Sequence, residues 1–269
     1  MKNKISGKIV ALLLTLIIVA TSGMPLYAKE TGDKANSFRY ENGQSIAKAV
    51  PFSTLSPNAW KKIDGKYYSG DGSVIEGAVA KGIDVSHHQG TVDWKKAKED
   101  GVEFAIIRCG FGMNQTKQDD AQWFNNVKGC EENNIPYGVY LYSYADTVKK
   151  AQSEAEHVLR LIKGHTLAYP VYYDIEEKAV LNKLTAEQLG KIAATFVNKV
   201  KAEGYQTGIY SNKSNFETFL TDSQFSQWNK WVAQYNSAAC TYKGTYQIWQ
   251  AADTGTIDGV NGAVDINFS

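Results

Sequence analysis

Asp174 and Glu176 are the residues of this 269-residue chain whose types and spacing most plainly offer chemistry. They fall at the end of PVYYDIE, whose apolar run over 170–175 predicts a β-strand. Side chains alternate along a strand, so residues at i and i+2 share a face. Both carboxyls therefore point one way, with Tyr172, while Ile175 points the other. Close carboxylates do not all ionise, because repulsion and partial burial keep one protonated near neutral pH. A protonated carboxyl beside an ionised one is the pairing used to cleave glycosidic bonds. Glu176, with the longer reach, is expected to be the general acid, and Asp174 its partner. Asp84 in GIDVSHHQG and Asp265 in VDIN also close apolar runs. One acid at a strand end is unremarkable; four that converge are not.

Other residues refine this chemistry. The chain holds sixteen Tyr and six Trp, and aromatics reach 12%. Their flat apolar faces suit stacking on sugar rings as well as core packing. Tyr142, Tyr172, Tyr210, Trp231 and Trp249 lie in or beside strand-like runs and are the candidates to line sugar subsites, with several expected to be core instead. His87 and His88 follow Asp84 closely, but adjacent His residues on a strand end point apart and no third joins them in a motif. No metal site and no cofactor are expected. A net charge of +1 gives no reason to expect a nucleic-acid partner.

These residues need a scaffold. From Lys81 onward, strand-like and helical patterns alternate. Strands are predicted over 82–85, 102–108, 137–144, 170–175 and 206–211. Helices are predicted over 93–100, 119–133, 147–163, 185–203 and 214–220. Thr185 with Gln188 three residues on forms a capping box. Three more strands, 231–235, 246–250 and 263–266, follow with little between them. Repeated βα units imply a parallel sheet, and eight strands predict a closed α/β barrel that has lost its last helices. In such a barrel the site lies at the C-terminal ends of the strands, where the acids fall. No glycine-rich phosphate loop follows the first strand, which argues against a nucleotide-binding sheet.

Upstream of the barrel the chain reads differently. Lys2, Lys4 and Lys8 precede an apolar run over 9–20, small and turn-forming residues follow, and Leu26-Tyr27-Ala28 stands before the expected cleavage point. This is the layout of a secretory signal peptide, with a retained anchor as the alternative. A secreted or cell-wall-associated protein is expected. Residues 29–58 read as a linker. Residues 59–78 carry W-x-x-x-x-G-x-Y-Y-x-x-D-G, which resembles one unit of the short cell-wall-binding repeats of Gram-positive surface proteins. A single copy has no neighbour to bury its face, so a β-hairpin packed on the barrel is expected. Residues 81–269 are expected to be the catalytic domain. Cys109, Cys130 and Cys240 allow one disulfide with three pairings, and Cys109 reads as a buried thiol.

Taken together, GIDVSHHQG, VEFAIIRCGFG, YGVYLYSYA, PVYYDIE, GIYSN, WVAQYN and YQIWQ…IDGVNGAVDINF resemble the family-25 glycoside hydrolases, the barrel-shaped lysozymes. The resemblance spans about residues 81–269. It implies metal-free hydrolysis of the β-1,4 bond after N-acetylmuramic acid in bacterial peptidoglycan. A monomer is expected, and no stable protein partner is implied. It places the family's four acidic positions on Asp84, Asp174, Glu176 and Asp265, with Glu176 as proton donor. One motif departs: many members read K-x-[ST]-E-G where this chain reads Arg108-Cys109-Gly110-Phe111-Gly112. Strand spacing permits retaining or inverting geometry. Substrate assistance, with Asp174 holding the sugar's acetamido group, suits a D-x-E pair best. A family-18 chitinase-like enzyme is the alternative, but residues 168–173 supply none of its earlier acids. A non-catalytic wall-binding module would be free to lose Asp174 or Glu176, and both are present.

Overall fold

The computed structural model describes residues 60–69, 72–235 and 237–269, and the backbone of a short pairing between β1 (Tyr40–Glu41) and β2 (Gln44–Ser45). The signal peptide and most of the linker expected over 1–58 lie outside the described residues.

Eight strands close a barrel in the order β10-β11-β12-β5-β6-β7-β8-β9. They are β5 (Lys81–Val85), β6 (Phe104–Phe111), β7 (Tyr137–Tyr142), β8 (Val171–Asp174), β9 (Thr207–Asn212), β10 (Asn229–Ala233), β11 (Ile248–Gly255) and β12 (Val264–Phe268). Helices α1 (Trp94–Glu99), α2 (Trp123–Glu132), α3 (Val148–Ile162), α4 (Lys178–Leu181), α5 (Ala186–Ala202) and α6 (Lys213–Thr218) follow the earlier strands. Thr185 and Gln188 form the expected capping box at the start of α5. The alternation of side chains splits the apolar residues into two sets. Phe104, Ile106, Tyr140, Tyr172, Tyr210, Trp231, Ala233 and Ile248 fill the lumen. Ile107, Cys109, Val139, Leu141, Tyr173 and Ile209 face outward into a second core beneath the helices.

The barrel is not wholly parallel. β12 runs antiparallel to both β11 and β5. The connection over 256–263 is shorter than the dozen or so residues a parallel crossover needs, so the chain turns straight back. Helix α2 also starts later than expected, at Trp123. Asp119 and Asp120, assigned to it from sequence, sit in the preceding turn. There Asp119 pairs with His157 and Arg160, and Asp120 pairs with Arg108.

At the base of the barrel β3 (Lys61–Ile63) and β4 (Lys66–Tyr68) form an antiparallel hairpin. Its two-residue turn, Asp64-Gly65, has φ of 48° and 79°, the doubly positive geometry that matches strand twist. Trp60, Tyr67 and Ile75 are buried in the outer core. The Trp60 and Tyr67 rings meet Phe268 edge-on at 5.7 and 5.3 Å. The face a repeat unit would present to its neighbour is thus occupied by the end of β12. Cys109, Cys130 and Cys240 are free thiols, the first two buried. Burial pushes the thiols of Cys109 and Cys130 up, away from the reactive thiolate.

Candidate active site

A pocket of about 360 Å³ opens at the mouth of the barrel, lined by Asp84, Asp174, Glu176, Asp265, Tyr140, Tyr142, Tyr210, Trp231, Tyr235 and Gln250. The four acids expected to converge therefore do so. They arrive from three strand ends. Asp84 stands on β5, opposite Asp265 on β12 in register. Asp174 is the last residue of β8, and Glu176 lies two residues beyond it. Asp265 reaches the mouth through the direction of its strand. Because β12 is antiparallel, its beginning rather than its end lies with the ends of the parallel strands.

The acids differ in setting. Asp84, Asp174 and Asp265 are almost fully buried, whereas Glu176 is half-exposed. Asp84 Oδ2 accepts from Gln250 Nε2 and Asn267 Nδ2, both at 2.8 Å. Gln250 Oε1 in turn accepts from Tyr210 and Tyr235 hydroxyls at 2.8 and 2.6 Å. Trp231 Nε1 donates to Asn267 Oδ1 at 2.8 Å. The aromatic walls and Asp84 thus form one hydrogen-bonded unit, with each amide held at both ends. Burial pushes the Asp84 carboxyl up to about 6, and the two amides act against that rise. Asp174 lacks such support: its Oδ1 is buried with no hydrogen-bond partner among the described residues. Burial first, then the charges of Glu176 and Asp84, push its carboxyl well above the usual range, with Arg108 opposing.

Two of the aromatics expected to line subsites lie elsewhere. Tyr172 is fully buried in the lumen and outside the pocket lining. Trp249 belongs to the outer core, against Phe268 at 5.9 Å, with Nε1 bonded to the Gln234 carbonyl at 2.9 Å. Its neighbours Ile248 and Gln250 face inward instead. Tyr142, Tyr210 and Trp231 line the pocket as expected, and Tyr140, Tyr235 and Gln250 join them. Tyr140 was legible by parity, two residues before Tyr142 in YGVYLYSY; Gln250 stood out only as a polar residue in an apolar run.

His87 and His88 do not point apart. They begin a short 3-10 turn, His87–Gln89, and their rings lie 3.9 Å apart between centroids. His87 contacts Arg108 and Asp120, so it belongs to a polar cluster beside the acids. No group of three or more potential metal ligands occurs among the described residues.

The chain matches the model of glycosyl hydrolases family 25 over residues 83–260. It is 31% identical over 193 residues to the protein YegX of Escherichia coli (strain K12), covering 69% of this chain and 68% of YegX. It is 27% identical over 187 residues to the autolytic lysozyme of Clostridium acetobutylicum, covering 70% of this chain and 55% of that enzyme. The modular autolysin LytC of Streptococcus pneumoniae, solved in complex with a synthetic peptidoglycan ligand, is similar in structure. Its TM-score is 0.69 at 31% identity, over 78% of this chain. The chain spans about half of LytC, 51% of its length. With the family's motifs lining one barrel mouth and its model matching most of the barrel, this chain belongs to family 25 of the glycosyl hydrolases.

Proposed function

We propose that this protein is a lysozyme that hydrolyses the β-1,4 bond between N-acetylmuramic acid and N-acetylglucosamine in bacterial peptidoglycan. The observation that carries the reading is the pairing at the end of β8. A buried Asp174 with an unpartnered carboxyl oxygen stands beside a half-exposed Glu176 in an aromatic-walled pocket.

Glu176 is the general acid. Its exposure leaves it in reach of a leaving oxygen entering from the mouth, and it gives its proton to that oxygen as the glycosidic bond breaks. The acetamido carbonyl oxygen of the N-acetylmuramic acid attacks that sugar's own anomeric carbon as the bond to the leaving oxygen breaks, and closes a ring that carries positive charge. Asp174, as carboxylate, accepts from the acetamido N–H. In the empty pocket its charge is poorly solvated. The growing positive charge supplies the missing stabilisation, so this contact is stronger in the transition state than in the ground state. Water then gives a proton to Glu176, attacks the same carbon and reopens the ring, with net retention. Asp84 and Asp265 hold sugar hydroxyls and set the field around Asp174.

The setting is the cell wall. The basic and apolar start of the chain fits export, and the similarity to lytic enzymes of the wall supports the same place of action. Clearing of a peptidoglycan suspension tests the function. Wild-type protein lowers the turbidity and Glu176→Gln does not, while both sediment with the wall. A suspension left untouched by pure wild-type protein overturns the reading.

A further inference from the structure

Strand β6 carries a register shift between Arg108 and Gly110 that changes which way its end faces. Before the shift, Phe104 and Ile106 point into the lumen, while Ala105, Ile107 and Cys109 point outward. Strict alternation would send Phe111 outward as well. The shift instead pairs Gly110 with the outward Leu141 and Phe111 with Tyr142, a pocket residue. One extra residue in the strand thus turns Phe111 onto the mouth face, the re-aiming that β-bulges provide.

The surroundings hold this shift in place. A Cβ at Gly110 would lie 2.7 Å from the Gln118 carbonyl and 2.7 Å from the His157 ring, so only glycine fits. His157, fully buried, bonds through Nδ1 to the Gly112 carbonyl at 3.0 Å and through Nε2 to Asp119 at 2.8 Å. The result is a graded row of rings. Tyr142 forms the buried pocket wall, Tyr144 lies 5.1 Å from it, and Phe111 meets Tyr144 edge-on at 6.4 Å. Tyr144 and Phe111 are half-exposed.

We propose that Phe111 and Tyr144 form a binding subsite that extends the pocket and takes one further sugar ring of the glycan strand by stacking. The occupant is glycan because the row is continuous with Tyr142 in the pocket. Rings offer flat apolar faces to a pyranose without demanding one hydroxyl pattern. This inference rests on the lysozyme reading.

The test compares kcat/KM on two peptide-free oligosaccharides of alternating N-acetylglucosamine and N-acetylmuramic acid, a tetrasaccharide and an octasaccharide. Wild-type protein is expected to favour the longer one. Phe111→Ala and Tyr144→Ala are expected to lower the ratio of long to short by about five- to tenfold, through KM, the size of one aromatic contact. Phe111→Leu, which keeps apolar bulk but no ring, covers an alanine variant that does not fold and is expected to lower the ratio likewise. An unchanged ratio in Phe111→Leu and Tyr144→Ala overturns the subsite, as does a loss seen only on substrates carrying stem peptide. Wild-type protein inactive on both oligosaccharides and on whole peptidoglycan overturns the lysozyme reading, and the subsite with it.

Discussion

Replacing Arg108 by Met should expose how the mouth of the barrel balances its charges. Arg108 Nε lies 2.8 Å from Asp120 Oδ2, and the two side chains are 3% and 0% exposed. Removing one partner of a buried ion pair costs about 3–5 kcal/mol, because the other charge is left uncompensated. Asp120 retains the backbone N–H groups of His87 at 3.0 Å and Gln122 at 2.9 Å, which places the expected loss near the lower end, ~3 kcal/mol. Urea unfolding at pH 7 measures it. The double variant Arg108→Met/Asp120→Asn removes both charges and should recover most of that loss. The pH dependence follows from the same pair. Burial alone would raise the Asp120 carboxyl, but Arg108, His87 and the Gln122 amide hold it well below the usual range. Its stabilisation is therefore present above the ordinary carboxylate pKa of ~3.9 and is lost as pH falls toward the depressed value. In Arg108→Met the buried acid takes up its proton at higher pH, so the stability gap to wild type should narrow as pH falls below about 5. Catalysis offers an independent readout. Arg108 opposes the upward push on Asp174, so its loss should move the acidic limb of kcat/KM to higher pH. A loss below about 1 kcal/mol at pH 7, or a double variant as unstable as the two single losses combined, would refute the buried-pair reasoning.

Further outcomes follow from the site and the base of the barrel. Glu176→Gln should lower kcat by roughly 10²–10⁴ with binding to insoluble wall retained, checked by co-sedimentation and product release; activity within tenfold of wild type removes Glu176 from the acid role. Asp84→Asn takes away a charge that pushes Asp174 up, so the acidic limb of kcat/KM should shift to lower pH; an upward shift contradicts the repulsion. Residues 81–269 without the hairpin should melt below residues 60–269, because Trp60, Tyr67 and Ile75 leave the outer core. A net loss of ~4 kcal/mol corresponds to roughly 10 °C, and equal melting temperatures in calorimetry would show that the hairpin adds nothing.

The barrel and its acids were legible because both rest on short-range rules. Alternation along PVYYDIE puts Asp174 and Glu176 on one side, and repeated βα patterns imply strand ends that share a mouth. What was not legible depended on pairing across the sheet. The direction of β12 is fixed by a connection too short for a crossover, and only that direction explains why Asp265, at the start of its strand, reaches the pocket. Trp249 was misplaced because an aromatic in an apolar run fits either face; parity with Ile248 and Gln250 decides it once the strand is located. Phe111 showed in the sequence only as part of the departure from K-x-[ST]-E-G, since a register shift leaves no local mark beyond Gly110. Asp119 and Asp120 were drawn into a helix by their neighbours, although their partners Arg108, His157 and Arg160 lie elsewhere in the chain.

The most direct test of the proposed activity is mass spectrometry of borohydride-reduced fragments from a complete peptidoglycan digest. Hydrolysis by Glu176 and Asp174 leaves every new reducing end on N-acetylmuramic acid, seen as muramitol. New ends on N-acetylglucosamine, seen as glucosaminitol, would contradict it.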